Sequence, residues 1–148
     1  MELNRVLLEQ RLVMLQGYLE ELEKLAQIDR QEFVSNKIIV AAAESYLRRS
    51  LEVVFDIGRH ILAKSGLVDL ASEYKTIARG LVSKGVVAPE LGEKLTQMAG
   101  YRNRLVHLYH QVTDEELYEI ISHDLPDFRA FLHAIKNILA GPGRLPEA

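Results

Sequence analysis

The chain has no cysteine, no tryptophan and only four prolines in 148 residues. Without cysteine it forms no disulfide, no zinc–thiolate site and no thiol nucleophile. The same absence fits a reducing cytoplasm. Without tryptophan, and with aromatics at 7% of residues, a platform that stacks many bases is disfavoured. No apolar run approaches the length of a signal core or a membrane span. Positive charge is not in excess either: the formal net charge is −3, whereas proteins that coat nucleic acid without specificity are usually basic. Any contact with RNA must therefore run through a local positive cleft. The period-two alternation that marks strands is missing throughout.

What is there reads as helix. Hydrophobic residues make up 48% and charged residues 26%, an ordinary balance for a soluble domain with one core. Leu8, Leu12, Leu15, Leu19, Leu22 and Ala26 alternate by four and three, and Leu7, Val13, Tyr18 and Leu25 widen the stripe. They predict a helix from residue 4 to about 28. Asp29 and Glu32 make a capping box for the next element. Helical spacing then runs through Ile38, Leu47, Leu51, Val54, Phe55 and Ile61 to about Lys64, with a short turn near Ser35-Asn36 and a stop at Ser65-Gly66. This is the expected central helix, and Gly58 in it marks either close packing or a weak point. Glu44, Arg48, Arg49, Glu52, Asp56, Arg59 and His60 charge its surface. The first reading is a solvated face with Glu44–Arg48 and Asp56–His60 pairs; the sharper one is a cleft lining.

Ser72 to Lys84 predicts a shorter helix ended by Gly85, and Pro89 suits the first turn of the next. Thr113 and Glu116 form a second capping box, and Pro126 breaks or restarts the helix that follows. Phe128, Phe131, Leu132, Ile135, Ile138 and Leu139 give a last amphipathic helix. The expected fold is all-α: an antiparallel bundle of about five helices in one domain, residues 1–140, with a loose tail at 141–148.

One stretch concentrates the chemistry. Gly100 to His110 holds Tyr101, Arg102, Asn103, Arg104, His107, Tyr109 and His110. On a straight helix Arg102 and Tyr109 share nearly one line, while His107 sits about 140° from Arg102. Either the helix ends near His107, or a second copy completes the site. Taken alone, the spacing favours residues that merely close the bundle, with Arg102 satisfying carboxylates. His107 and His110 are spaced to hold a metal, but no nearby acid or cysteine completes a set.

Arg102-Asn103, followed by His107 and Tyr109, resembles the arginine-x4-histidine-x-tyrosine motif of HEPN-domain toxins of the HepT type. The flanks are similar too: Tyr18-Leu19-Glu20-Glu21-Leu22, Glu44-Ser45-Tyr46-Leu47, Asp56-Ile57-Gly58-Arg59-His60-Ile61 and Met98-Ala99-Gly100-Tyr101. The likeness runs to about residue 140; Ser45, where the family often has arginine, and Arg104, in a variable slot, are small departures. The resemblance implies an all-helical homodimer with the motif lining a cleft between copies. It implies metal-independent RNA cleavage without a cofactor. It also implies a type II toxin–antitoxin pairing, in which a minimal nucleotidyltransferase antitoxin transfers AMP to Tyr109.

The residue types suit that chemistry. A histidine such as His107 serves as base toward a ribose 2′-hydroxyl or as acid toward the leaving oxygen. Arg102 holds phosphate oxygens and counters charge that builds in the transition state. Asn103 is a candidate to orient a phosphate or His107. A phenol is a poor base but a usable acceptor once activated, which fits Tyr109. The rival reading is a non-catalytic nucleotide-binding or docking subunit for a nucleotidyltransferase.

Overall fold

The computed structural model describes residues 3–64, 73–107 and 112–141. Among these the chain forms helices and no strand: α1 (Arg5–Ala26), α2 (Arg30–Ser35), α3 (Lys37–Lys64), α4 (Tyr74–Ser83), α5 (Pro89–Val106), α6 (Asp114–His123) and α7 (Leu125–Ala140). The all-α class is as expected, but the described residues hold seven helices where about five were predicted. Asn36 supplies one of the extra breaks. It takes an extended conformation at the end of α2, and its Oδ1 accepts the Ile38 and Ile39 N–H groups at 3.0 and 3.2 Å. The cap that ends α2 thus starts α3. Asp124 supplies another, closing α6 just before Pro126 enters the second position of α7.

The α1 seam is buried as its spacing predicts, with Leu8, Leu12, Leu15, Leu19 and Leu22 inside. Val13 departs from the expected stripe: it is 73% exposed, because one residue past Leu12 is a turn of about 100° away from the core. Ile38 in the first turn of α3 is exposed as well. The α3 helix is central, packing against α1, α2, α4, α5 and α6. The predicted stop at Ser65-Gly66, the Ser72 start of α4 and the tail from Pro142 lie outside the described residues. Pro89 opens α5, and the Thr113 hydroxyl accepts the Glu116 N–H at 3.1 Å to start α6, both as predicted.

Gly58 is a point of close packing. A Cβ there would lie 2.6 Å from Ile77 Cγ2 and 3.2 Å from Leu81 Cδ1. Both neighbours are buried on α4, so glycine is what lets α4 lie directly on α3 and bring Tyr74, its first residue, toward the centre. Gly85 turns the chain out of α4 at φ +72°, a conformation that glycine adopts without strain.

Charge pairing on α3 follows the expectation in part. Arg48 Nε donates to Glu44 at 3.1 Å. Asp56 does not pair with His60. It accepts instead from Arg11 Nε of α1 at 2.9 Å and lies 4.0 Å from Arg59 Nη1. His60 Nε2 is buried without a hydrogen-bond partner among the described residues. Burial and then Lys64 push its imidazole below the ordinary value of 6.5, with Asp56 opposing.

Two outcomes follow from this packing. Gly58→Ala is expected to lose about 1–3 kcal/mol of stability through overpacking, measured by denaturant unfolding; an unchanged midpoint would mean that α4 gives way freely. For His60 the folded-state value lies below the unfolded one, so the unfolded chain binds the proton first. The stability it contributes is present above about pH 6.5 and is lost as pH falls below that value. Thermal melts of the parent from neutral to mildly acid pH should therefore fall more steeply than those of His60→Leu.

Candidate active site

Arg102 lies on the last turns of α5 with its side chain 15% exposed. A charge so far removed from water needs partners on several sides. Glu52 of α3 accepts its Nε–H at 2.9 Å. Asn103 Oδ1 accepts from Nη1 at 3.2 Å. The guanidinium lies over the Tyr74 ring, 4.0 Å from its centroid, a cation–π contact. Tyr74 is itself held edge-on by buried Phe55 of α3, with centroids 5.0 Å apart at 78°. Phe55 and Glu52, three residues apart, share one face of α3. Three helices thus fix one arginine. The Nη2 hydrogens have no protein acceptor among the described residues, and that end of a planar fork suits two oxygens of a phosphate.

The helix ends where the first of the two geometric alternatives required. α5 stops at Val106, and His107 is its C-cap in an extended conformation, φ −86° and ψ 125°. Its backbone N–H donates to the Asn103 carbonyl at 3.1 Å. Asn103 therefore touches both motif residues, Arg102 through its amide oxygen and His107 through its backbone. The His107 side chain is exposed. Tyr109 and His110 lie outside the described residues. Tyr101 turns away: its hydroxyl is buried without a hydrogen-bond partner among the described residues. Burial, then Asp124 and Asp127, raises its phenol far above the ordinary value of 10.0. It is a core residue.

Arg104, expected to be incidental, ties the base of the segment after His107. Its Nη1 and Nη2 donate to both carboxylate oxygens of Glu116 at 2.6 and 2.5 Å. Arg104 sits in the last turn of α5 and Glu116 in the first turn of α6, so each charge also complements its own helix dipole. Sequence reasoning did not single out Tyr74, whose ring carries the guanidinium. Glu52 was among the α3 charges for which a cleft lining was the sharper reading, and its bond to Arg102 agrees with that reading. The available signal was that one more turn of charge, Glu52-x3-Asp56-x2-Arg59, continues past the Glu44–Arg48 pair than a solvated face needs.

This fold is found in a solved structure described as the tri-AMPylated HEPN toxin of Shewanella oneidensis in complex with MNT antitoxin. The match has a TM-score of 0.77 at 20% identity and covers 88% of this chain and 96% of that one. It defines the fold: this chain shares the all-helical architecture of that toxin. The family follows from sequence, since the HepT-like ribonuclease family model matches residues 15–135, and the chain belongs to that family. It is also 26% identical over 134 residues, 90% of each chain, to a protein of Aphanizomenon flos-aquae named tRNA nuclease HepT. Over 92 residues it is 28% identical to one of Shewanella oneidensis named mRNA nuclease HepT, covering 61% of this chain and 67% of the relative. No helix among the described residues is long and apolar enough to cross a membrane.

Replacing Glu52 by alanine should free the Arg102 guanidinium. Exchange of its Nε–H with solvent, followed by NMR, is expected to quicken by about tenfold or more, the scale of a charge-assisted hydrogen bond. Exchange no faster than in the parent would mean that Glu52 does not hold Arg102 in solution.

Proposed function

We propose that this chain is the toxin of a type II toxin–antitoxin pair, cutting RNA without a metal ion. The observation that carries the proposal is the Arg102 guanidinium, held by Glu52, Asn103 and Tyr74 with no acceptor for Nη2 among the described residues, five residues before the helix end at His107. In this mechanism Arg102 binds the scissile phosphate and offsets the negative charge that grows as the 2′-oxygen attacks. His107 takes the 2′-hydroxyl proton or supplies one to the leaving 5′-oxygen, the roles open to an imidazole near neutral pH. Asn103 and Glu52 keep the guanidinium in register. A second copy of the chain brings a second arginine and histidine to the same phosphate, so the working unit is a homodimer. The two named relatives differ in substrate, one tRNA and one mRNA, so the proposal is for RNA without a narrower class.

Control in this reading comes from a minimal nucleotidyltransferase antitoxin that places AMP on Tyr109. The phenol oxygen forms the new bond to the α-phosphorus of ATP and pyrophosphate leaves. The product is a fixed anion and a base near the arginine, repelling RNA. The support is the solved toxin described as tri-AMPylated and bound to an MNT antitoxin.

The test is cleavage of RNA by the purified protein in EDTA. Arg102→Ala is expected to lose about 10²–10³-fold in rate, and His107→Ala about 10²–10⁴-fold. Tyr109→Phe should keep cleavage and lose AMP acceptance with the partner enzyme, read by intact mass. Undiminished cleavage by His107→Ala would remove His107 from the mechanism. No cleavage by unmodified parent dimer would favour the docking-subunit alternative.

A further inference from the structure

We propose that the groove between α1 and α3 is a nucleotide subsite: it takes the base next to the phosphate that Arg102 holds. This rests on the ribonuclease reading above and adds to it a second point of contact with the strand. The groove has a volume of about 340 Å³ and is lined by Arg11, Met14, Glu52, Val53, Asp56 and Arg59. That volume is at the small end of ligand sites, about 300–1,000 Å³.

Three observations point to a nucleotide. The first is position. Glu52 lines the groove and accepts the Arg102 Nε–H at 2.9 Å, so the groove begins one side chain from the motif arginine. The Arg59 guanidinium reaches the same Tyr74 ring that carries Arg102, at 5.5 Å against 4.0 Å. A strand whose phosphate sits on Arg102 has a neighbouring base within reach of this groove.

The second is charge. Within the groove Arg11 and Arg59 balance Glu52 and Asp56, and the one net positive charge of the neighbourhood is that of Arg102 at its edge. This is a local positive region on a chain of net charge −3. The two acids, one turn apart on α3, repel each other, and the arginines from α1, α3 and α5 offset that.

The third is the kind of surface offered. Met14 is 40% exposed although it is apolar. A thioether is a polarizable, adaptable contact for a ring face, and Val53 extends the apolar floor. Arginine planes stack on bases. Carboxylate oxygens accept the amino and imino hydrogens of base edges. An apolar floor with a cationic rim and carboxylate acceptors is what a base with its phosphate needs, and a plain phosphate-binding patch has no use for the floor.

The experiment compares three RNA oligonucleotides cut at one site: the intact strand, and two twins with an abasic residue on one or the other side of the scissile phosphate. The parent is expected to cut one twin with kcat/KM about tenfold lower, the scale of one stacked base. Met14→Glu places a carboxylate on an exposed helix position, so it is expected to fold. It should lower kcat/KM on the intact strand by a similar factor and remove the difference between intact and abasic strands. Equal cutting of all three strands by the parent would overturn the subsite and leave the ribonuclease reading standing. Cutting of none would overturn both. A Met14→Glu protein that keeps the parent's base preference, or that changes oligomeric state, would also overturn it; the second result would make the groove an interface between copies.

Discussion

The structure depends on holding one guanidinium, that of Arg102, mostly out of water. Such a group is stable only where hydrogen-bond acceptors and an aromatic face replace the lost solvent. Glu52, Asn103 and Tyr74 do this from α3, α5 and α4. The requirement reaches back into the packing. Tyr74 must be the first residue of α4, α4 must lie close on α3, and Gly58 is what permits that approach. Phe55, buried below, sets the tilt of the ring. A core built for burial alone would not need this convergence of three helix positions on one charge.

The same arrangement resolves a conflict in the composition. An acidic chain repels RNA at long range, and the Debye length near physiological salt is about 8 Å. What matters at a phosphate is therefore the charge within a few ångströms. Arg11, Arg59 and Arg102 cluster with two carboxylates, each of which gives one oxygen to an arginine hydrogen bond. Elsewhere opposite charges pair on the surface, as in Arg129 with Glu23 and Arg30 with Glu119, and cancel locally. The overall sign of a protein and the sign of its site are separate quantities.

Membership of the HepT-like ribonuclease family and the geometry of Arg102 point the same way. The likeness to the solved Shewanella oneidensis toxin fixes the fold. The arrangement around Arg102 is seen in the structure of this chain. Arg104 and Glu116 illustrate the difference. They occupy no motif position, yet they join the end of α5 to the start of α6 across the segment that follows His107. An exposed pair of this kind contributes little to stability.

Much of the fold was legible in the sequence. The leucine seam of α1, the caps at Asp29 and Thr113, Pro89 at a helix start and Gly85 at a helix end are short-range signals, set by residues within one or two turns. The end of α5 at His107 was one of two outcomes that helical geometry allowed. The helix count was less legible, although both extra breaks, the turn near Ser35-Asn36 and the restart at Pro126, were marked by local residues that hydrophobic spacing does not register. The tertiary structure alone decided which charges meet. Spacing favoured Asp56 with His60, but Arg11 of α1 reaches Asp56 from another helix. Nothing in the linear order joins Glu52, Tyr74 and Arg102. A pairing within one turn is written in the sequence, whereas a pairing across helices depends on how their axes cross, and that is set by the whole core.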